Sequence, residues 1–101
     1  MKDPIVRIVT MTFLEKELSS FERLFKERSG AIRDSPGCLE LHLLRDVENP
    51  TVMTTFSVWT SKEALDAYRS TELFKETWSV ARKKFAAPPV ATSYRLVDSL
   101  W

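Results

Sequence analysis

The residues that could do chemistry in this 101-residue chain are few: one histidine, one cysteine, two tyrosines, and the indoles and guanidiniums around them. His42 is the one histidine, and its ordinary titration lies near neutral pH. Strand alternation points it the same way as Glu40, the arrangement of a general base oriented by a carboxylate. The plainer reading is a strand histidine at an interface or rim. A Cys38–His42 nucleophilic pair fails on distance, because four residues of strand separate the Cα atoms by about 13 Å. Cys38 therefore reads as a small apolar residue after a turn. One cysteine excludes an internal disulfide, and one cysteine with one histidine cannot close a structural zinc site of four ligands.

The stronger chemical signal is aromatic. Trp59, Tyr68, Phe74, Trp78 and Phe85 fall in one short stretch of sequence. As a set they could wall a pocket for a flat aromatic molecule, with the Tyr68 hydroxyl and the indole N–H groups as polar handles. Helix-to-sheet core packing is the plainer reading of Phe74 and Phe85, whereas Tyr68 and Trp78 carry polar atoms that need partners. Arg7 and Arg95 interrupt otherwise apolar strands; each could meet a substrate anion, or pair with Glu40 or Asp98. The candidate set is thus His42 and Tyr68 as catalytic groups, with Trp59, Tyr68, Phe74, Trp78 and Arg7 holding substrate.

Those residues need elements to position them. Residues 5–13, 38–45, 52–59 and 91–98 are rich in β-branched, aromatic and other apolar types and read as strands. Leu14, Leu18, Phe21, Leu24, Phe25 and Ile32 recur at helical spacing, up to a stop at Ser35-Pro36-Gly37. Thr60-Ser61-Lys62-Glu63 has the spacing of a capping box for a second helical region. That region breaks near Ser70-Thr71, where the face of Ala64, Leu65 and Tyr68 gives way to a stripe of Phe74, Trp78, Ala81 and Phe85. The order is β-α-β-β-α-β, an α+β ferredoxin-like fold with a four-stranded antiparallel sheet and a broken second helix.

Two helices cover one face of such a sheet and leave the other bare. Alternation puts Val6 and Ile8 opposite Ile5, Val9, Met11 and Phe13 on the first strand. It puts Leu39, Leu41 and Leu43 opposite Cys38, Glu40, His42 and Leu44 on the second. On the third it sets Val52, Phe56 and Val58 against Met53 and Trp59. Neither face is polar, so the free one calls for a partner, and a two-fold homodimer closes it most simply.

Composition narrows the function classes. The chain is 44% hydrophobic and 29% charged, with a formal net charge of +1, so no net field draws it to nucleic acid or anionic lipid. An RNA-recognition fold shares the element order, but Val52 to Trp59 has neither Gly nor a basic residue. Ile5 to Phe13 is broken by Arg7 and two threonines and lacks the apolar block of a signal or spanning segment. The expectation is a cytoplasmic protein with no nucleic-acid or membrane partner.

Pro36-Gly37-Cys38-Leu39, then Phe56-Ser57-Val58-Trp59-Thr60-Ser61-Lys62-Glu63-Ala64-Leu65, then Ser70 with Leu73-Phe74, are specific as a set. Together they resemble the antibiotic biosynthesis monooxygenase (ABM) domain family of the dimeric α/β-barrel superfamily, over nearly all of residues 1–101. The resemblance implies one domain, a homodimer whose sheets form a barrel, and a pocket in each subunit between sheet and helices. It also implies oxidation of a small phenolic or quinol-type molecule by oxygen, with no cofactor. Trp59 matches the family's strand-end tryptophan. Thr55 stands where some of its oxygenases carry asparagine, and that departure keeps a non-catalytic ligand-binding or stress-responsive barrel as the alternative. The related haem-degrading enzymes carry an asparagine, a tryptophan and a histidine where this chain has an aliphatic residue (Val6 or Ile8), Tyr68 and Trp78, so haem chemistry is not implied.

Overall fold

The two periods of the sequence become two layers in the computed structural model, which describes residues 4–98. Strand β1 is Ile5–Thr12, and a 3-10 turn over Glu15–Glu17 leads into helix α1, Leu18–Arg33. Strands β2, Cys38–Arg45, and β3, Val52–Trp59, follow; then come helices α2, Lys62–Arg69, and α3, Glu72–Arg82, and strand β4, Val90–Arg95. The sheet is antiparallel with order β2-β3-β1-β4, as the ferredoxin-like expectation requires.

The helices pack on the sheet face carrying Ile5, Met11, Met53 and Trp59, each at most 5% exposed. Burying one such side chain is worth roughly 1.5–3 kcal/mol, so these few positions dominate the choice of face. Phe13, Phe21, Leu24 and Ala81 complete one core cluster with Met11 and Met53. Ile5, Trp59 and Leu65 form a second, against which Tyr68 and Cys38 pack.

The helix break falls where the phase slip placed it. Arg69 closes α2, and the Thr71 Oγ1 accepts from the Phe74 N–H at 3.2 Å to start α3. Five local expectations change. The α2 cap is Ser61, whose hydroxyl accepts from Ala64 N–H at 3.1 Å, so the box built on Thr60 and Glu63 does not form. Phe85 lies beyond α3 and bridges Phe13 instead of extending the helical stripe. Leu14 precedes the 3-10 turn and is exposed, and β4 ends at Arg95, short of residue 98.

The fifth change is a bulge in β2. Cys38 pairs with Trp59 but Glu40 pairs with Val58, so one residue is extra between them. The extra residue turns Leu39 outward, half-exposed, and brings Cys38 to the helix side with Leu41. Plain alternation therefore assigned Cys38 and Leu39 to the wrong faces. From Glu40 onward the expected alternation holds.

Candidate functional site

Sheet and helices do not close completely on each other. Between them lies a cavity of about 270 Å³. Its floor is the helix-facing row of the central strands, Arg7, Val9 and Met11 from β1 with Thr55, Ser57 and Trp59 from β3. Its walls are Phe21, Leu24 and Phe25 of α1, Leu65, Tyr68 and Arg69 of α2, and Phe74, Thr77 and Trp78 of α3.

The aromatic residues form a continuous run of rings around this space. Trp59 and Tyr68 stack with centroids 4.9 Å apart, Tyr68 meets Phe74 edge-on at 5.3 Å, and Phe74 and Trp78 are nearly parallel at 6.1 Å. Trp78 then contacts Phe85 at 5.6 Å, and Phe85 contacts Phe13 at 5.3 Å. The break between α2 and α3 makes this possible, because one straight helix could not present Tyr68 and the Phe74–Trp78 pair to the same cavity.

The polar groups are few and distinct in kind. Burial pushes the Tyr68 hydroxyl up to about 12, with the neighbouring Cys38 thiol adding to the shift, so Tyr68 stays neutral through the physiological range. Trp59 is 1% exposed, and its N–H donates to the Ser57 Oγ at 3.0 Å. Its indole N–H is therefore engaged inside the protein, and only ring surface remains for a ligand. Arg7 donates to the Ser93 Oγ across the β1–β4 pair at 2.9 Å. The cavity side of the sheet holds Arg7 while Glu40 points to the other side, so the two do not pair. Thr77 Oγ1 is buried at the cavity wall without a hydrogen-bond partner.

The fold thus brings five predicted residues together: Trp59, Tyr68, Phe74, Trp78 and Arg7. It does not bring His42. That ring sits on the free face of the sheet, opposite Phe56, with 53% of its side chain exposed and Nε2 3.1 Å from Glu40. The orienting contact with Glu40 is real, but the cavity is on the other side of the sheet. Cys38 and His42 fall on opposite faces as well, which separates them further than distance alone.

Arg69, Thr77, Thr55 and Arg28 also line the cavity. Thr77 was readable as the i+3 neighbour of Phe74 on the Phe74–Trp78–Ala81 stripe. Nothing local marks Arg69, the last residue of α2; it becomes a cavity residue only through the packing of α2 against β3 and α3. Among the described residues no three His, Cys, Asp or Glu side chains gather to hold a metal, and no helix is long and apolar enough to cross a membrane.

The fold, the pocket between sheet and helices, and the strand-end tryptophan are those the ABM resemblance implies. The family model for antibiotic biosynthesis monooxygenase matches residues 4–78. The chain belongs to that family. Solved structures agree in fold. A conserved protein of Methanosarcina mazei superposes with TM-score 0.89 at 19% identity, over 92% of each chain. Rv0793 of Mycobacterium tuberculosis gives 0.88 at 17%, over 97% of this chain and 99% of that one. A mutant of SnoaB, a cofactor-independent oxygenase of Streptomyces nogalater, gives 0.86 at 17%, over 97% of both. No curated protein matches. At such identities the structures speak for the ABM fold, and chemistry has to be argued from the cavity.

Proposed function

We propose that this ABM-family protein is a cofactor-independent monooxygenase acting on a small aromatic, phenolic or quinol-type substrate. The observation that carries the reading is the run of rings from Trp59 to Trp78 around a largely apolar cavity that also receives a neutral Tyr68 and the cationic Arg7. At about 270 Å³ the space lies just under the usual range of about 300–1,000 Å³ for ligand pockets, which favours one or two fused rings.

In this mechanism the substrate binds with its ring against the aromatic wall. Its hydroxyl gives its proton to solvent water as it ionises in the positive field of Arg7, and the anion passes an electron to oxygen. Tyr68 cannot serve as a phenolate base near neutral pH, so its role is to donate a hydrogen bond to the developing oxyanion. For a phenol the balance is simple. One atom of O2 stays on a ring carbon as a carbonyl, and the other leaves as water with the hydroxyl hydrogen and that carbon's hydrogen. The chain supplies a dry cavity, orientation and charge stabilisation. His42, outside the cavity, has no part in this scheme.

The free sheet face supports the homodimer. Val6, Ile8, Phe56 and Val58 alternate onto it, while Leu44 and Tyr94 remain about half exposed. A second copy laid sheet to sheet would cover this apolar area. A reducing cytoplasmic setting fits the free Cys38, whose thiol burial holds protonated.

Oxygen uptake measured with a panel of quinols and naphthols tests the reading. Saturable uptake that is lost in Trp78→Ala supports the enzyme. Tight binding without uptake would instead support a non-catalytic binding barrel, the reading that Thr55 at the asparagine position favours.

A further inference from the structure

We propose that the cavity is built for an aromatic ligand bearing a carboxylate, which Arg7 and Arg69 clamp at the cavity mouth while its ring lies along the aromatic wall. This rests on the reading of the cavity as an aromatic-substrate site and adds the anionic handle.

Two of the guanidinium groups that line the cavity come from different elements and, among the described residues, face no carboxylate. Arg7 rises from the β1 floor, and Arg69 ends α2 beside Tyr68, exposed, with its guanidinium carbon 5.9 Å from the centre of the Phe74 ring. Among the described residues neither lies within salt-bridge distance of a carboxylate. Arg7 instead donates to the neutral hydroxyl of Ser93. The acid whose charge reaches Arg7 is Asp66, and its carboxylate is held by Lys62 at 2.7 Å. Burial and the charge of Arg69 both weaken Arg7's hold on its proton, and Asp66 offsets this only in part.

The third cavity arginine shows the contrast. Arg28 of α1 faces Glu76 of α3 at 3.9 Å, so its charge already has a partner across the helix layer. Arg7 and Arg69 have like charge beside an apolar wall, and an anion reaching both would relieve their repulsion. A carboxylate suits them because its two oxygens match the planar donor fork of a guanidinium. A monoanion also loses less hydration than a phosphate dianion on entering so apolar a space. With the carboxylate held by the arginines, a ring hydroxyl is left for Tyr68.

Isothermal titration calorimetry of the full chain with 3-hydroxy-2-naphthoate and 2-naphthol tests this, because the two probes share a bicycle and differ by the carboxylate. The acid is expected to bind about tenfold or more tightly than the naphthol. Arg69→Gln, at an exposed position that folding tolerates, should bring the acid down to the naphthol's affinity while changing 2-naphthol by no more than about twofold. Added salt should weaken the acid and spare the naphthol. Arg7→Gln should likewise weaken the acid, and circular dichroism checks that this half-buried variant folds. Equal affinities of the two probes, or acid binding indifferent to Arg69→Gln, would overturn the clamp while leaving the aromatic site standing. Failure of both probes to bind would remove the aromatic reading itself and the clamp with it.

Discussion

Trp59 donates its indole N–H to the hydroxyl of Ser57, two residues earlier on the same strand and the same face, at 3.0 Å. The bond fixes the largest fully buried side chain in the plane against which Tyr68 stacks. Ser57→Ala leaves that N–H buried and unpaired, which costs about 1–3 kcal/mol. Urea denaturation should show the loss, and indole fluorescence should shift in the folded state. A Ser57→Ala protein of undiminished stability would show that the ring is held by packing alone.

Tyr68 provides a pH signature. Its hydroxyl has an ordinary value of 10.0 and titrates at about 12 in the fold. Between those values the unfolded chain has released the proton and the folded chain retains it, so stability falls as pH rises through this window. Two pKa units correspond to about 3 kcal/mol at most, fully lost only above the folded value. Absorbance titration near 295 nm should show a late tyrosine ionisation, and Tyr68→Phe should remove it.

Gly37 sets where α2 begins relative to β2. Its φ of +86° is left-handed, and a Cβ there would stand 2.5 Å from the Ala64 Cβ and 2.9 Å from the Thr60 Oγ1. Its carbonyl meanwhile accepts from the Thr60 N–H at 2.8 Å. Gly37→Ala is expected to destabilise by about 2 kcal/mol or more, since the backbone strain alone is worth roughly 1–2 kcal/mol. Thermal melting checks it; an unchanged midpoint would show that the turn relaxes freely.

Thr77 separates stability from binding. Its buried hydroxyl has no partner within the fold, so Thr77→Val replaces an unpaired polar atom by a methyl group of similar shape. Such a change is close to neutral or stabilising, by up to about 1 kcal/mol. If the hydroxyl serves a ligand, 2-naphthol should bind several-fold more weakly to the more stable variant. Loss of stability without loss of binding would argue that Thr77 is purely structural.

Much of this architecture is readable from side-chain periodicity. Met53 and Trp59 alternate with Val52, Phe56 and Val58 as the strand pleat demands, and the phase slip at Ser70-Thr71 marks the helix break. These are local properties, set by which neighbours along the chain can share one face. The aromatic cavity set was readable for the same reason, because Tyr68, Phe74 and Trp78 occupy the buried stripes of their helices. The β2 bulge was not readable: one extra residue between Cys38 and Glu40 is a compromise between strand register and the turn at Gly37.

His42 and Arg69 mark the boundary between the two kinds of information. By residue type His42 was the natural catalyst, and its contact with Glu40 follows from strand spacing alone. Which side of the sheet the helices cover decides that it lies away from the cavity. Arg69 carries no local mark, yet the packing of α2 brings it to the same cavity as Arg7, from more than sixty residues away in sequence. Periodicity records what one element buries, and it is silent on which charges two elements bring face to face. In this chain that second relation, created only when α2 packs onto the sheet, determines the charge at the mouth of the site.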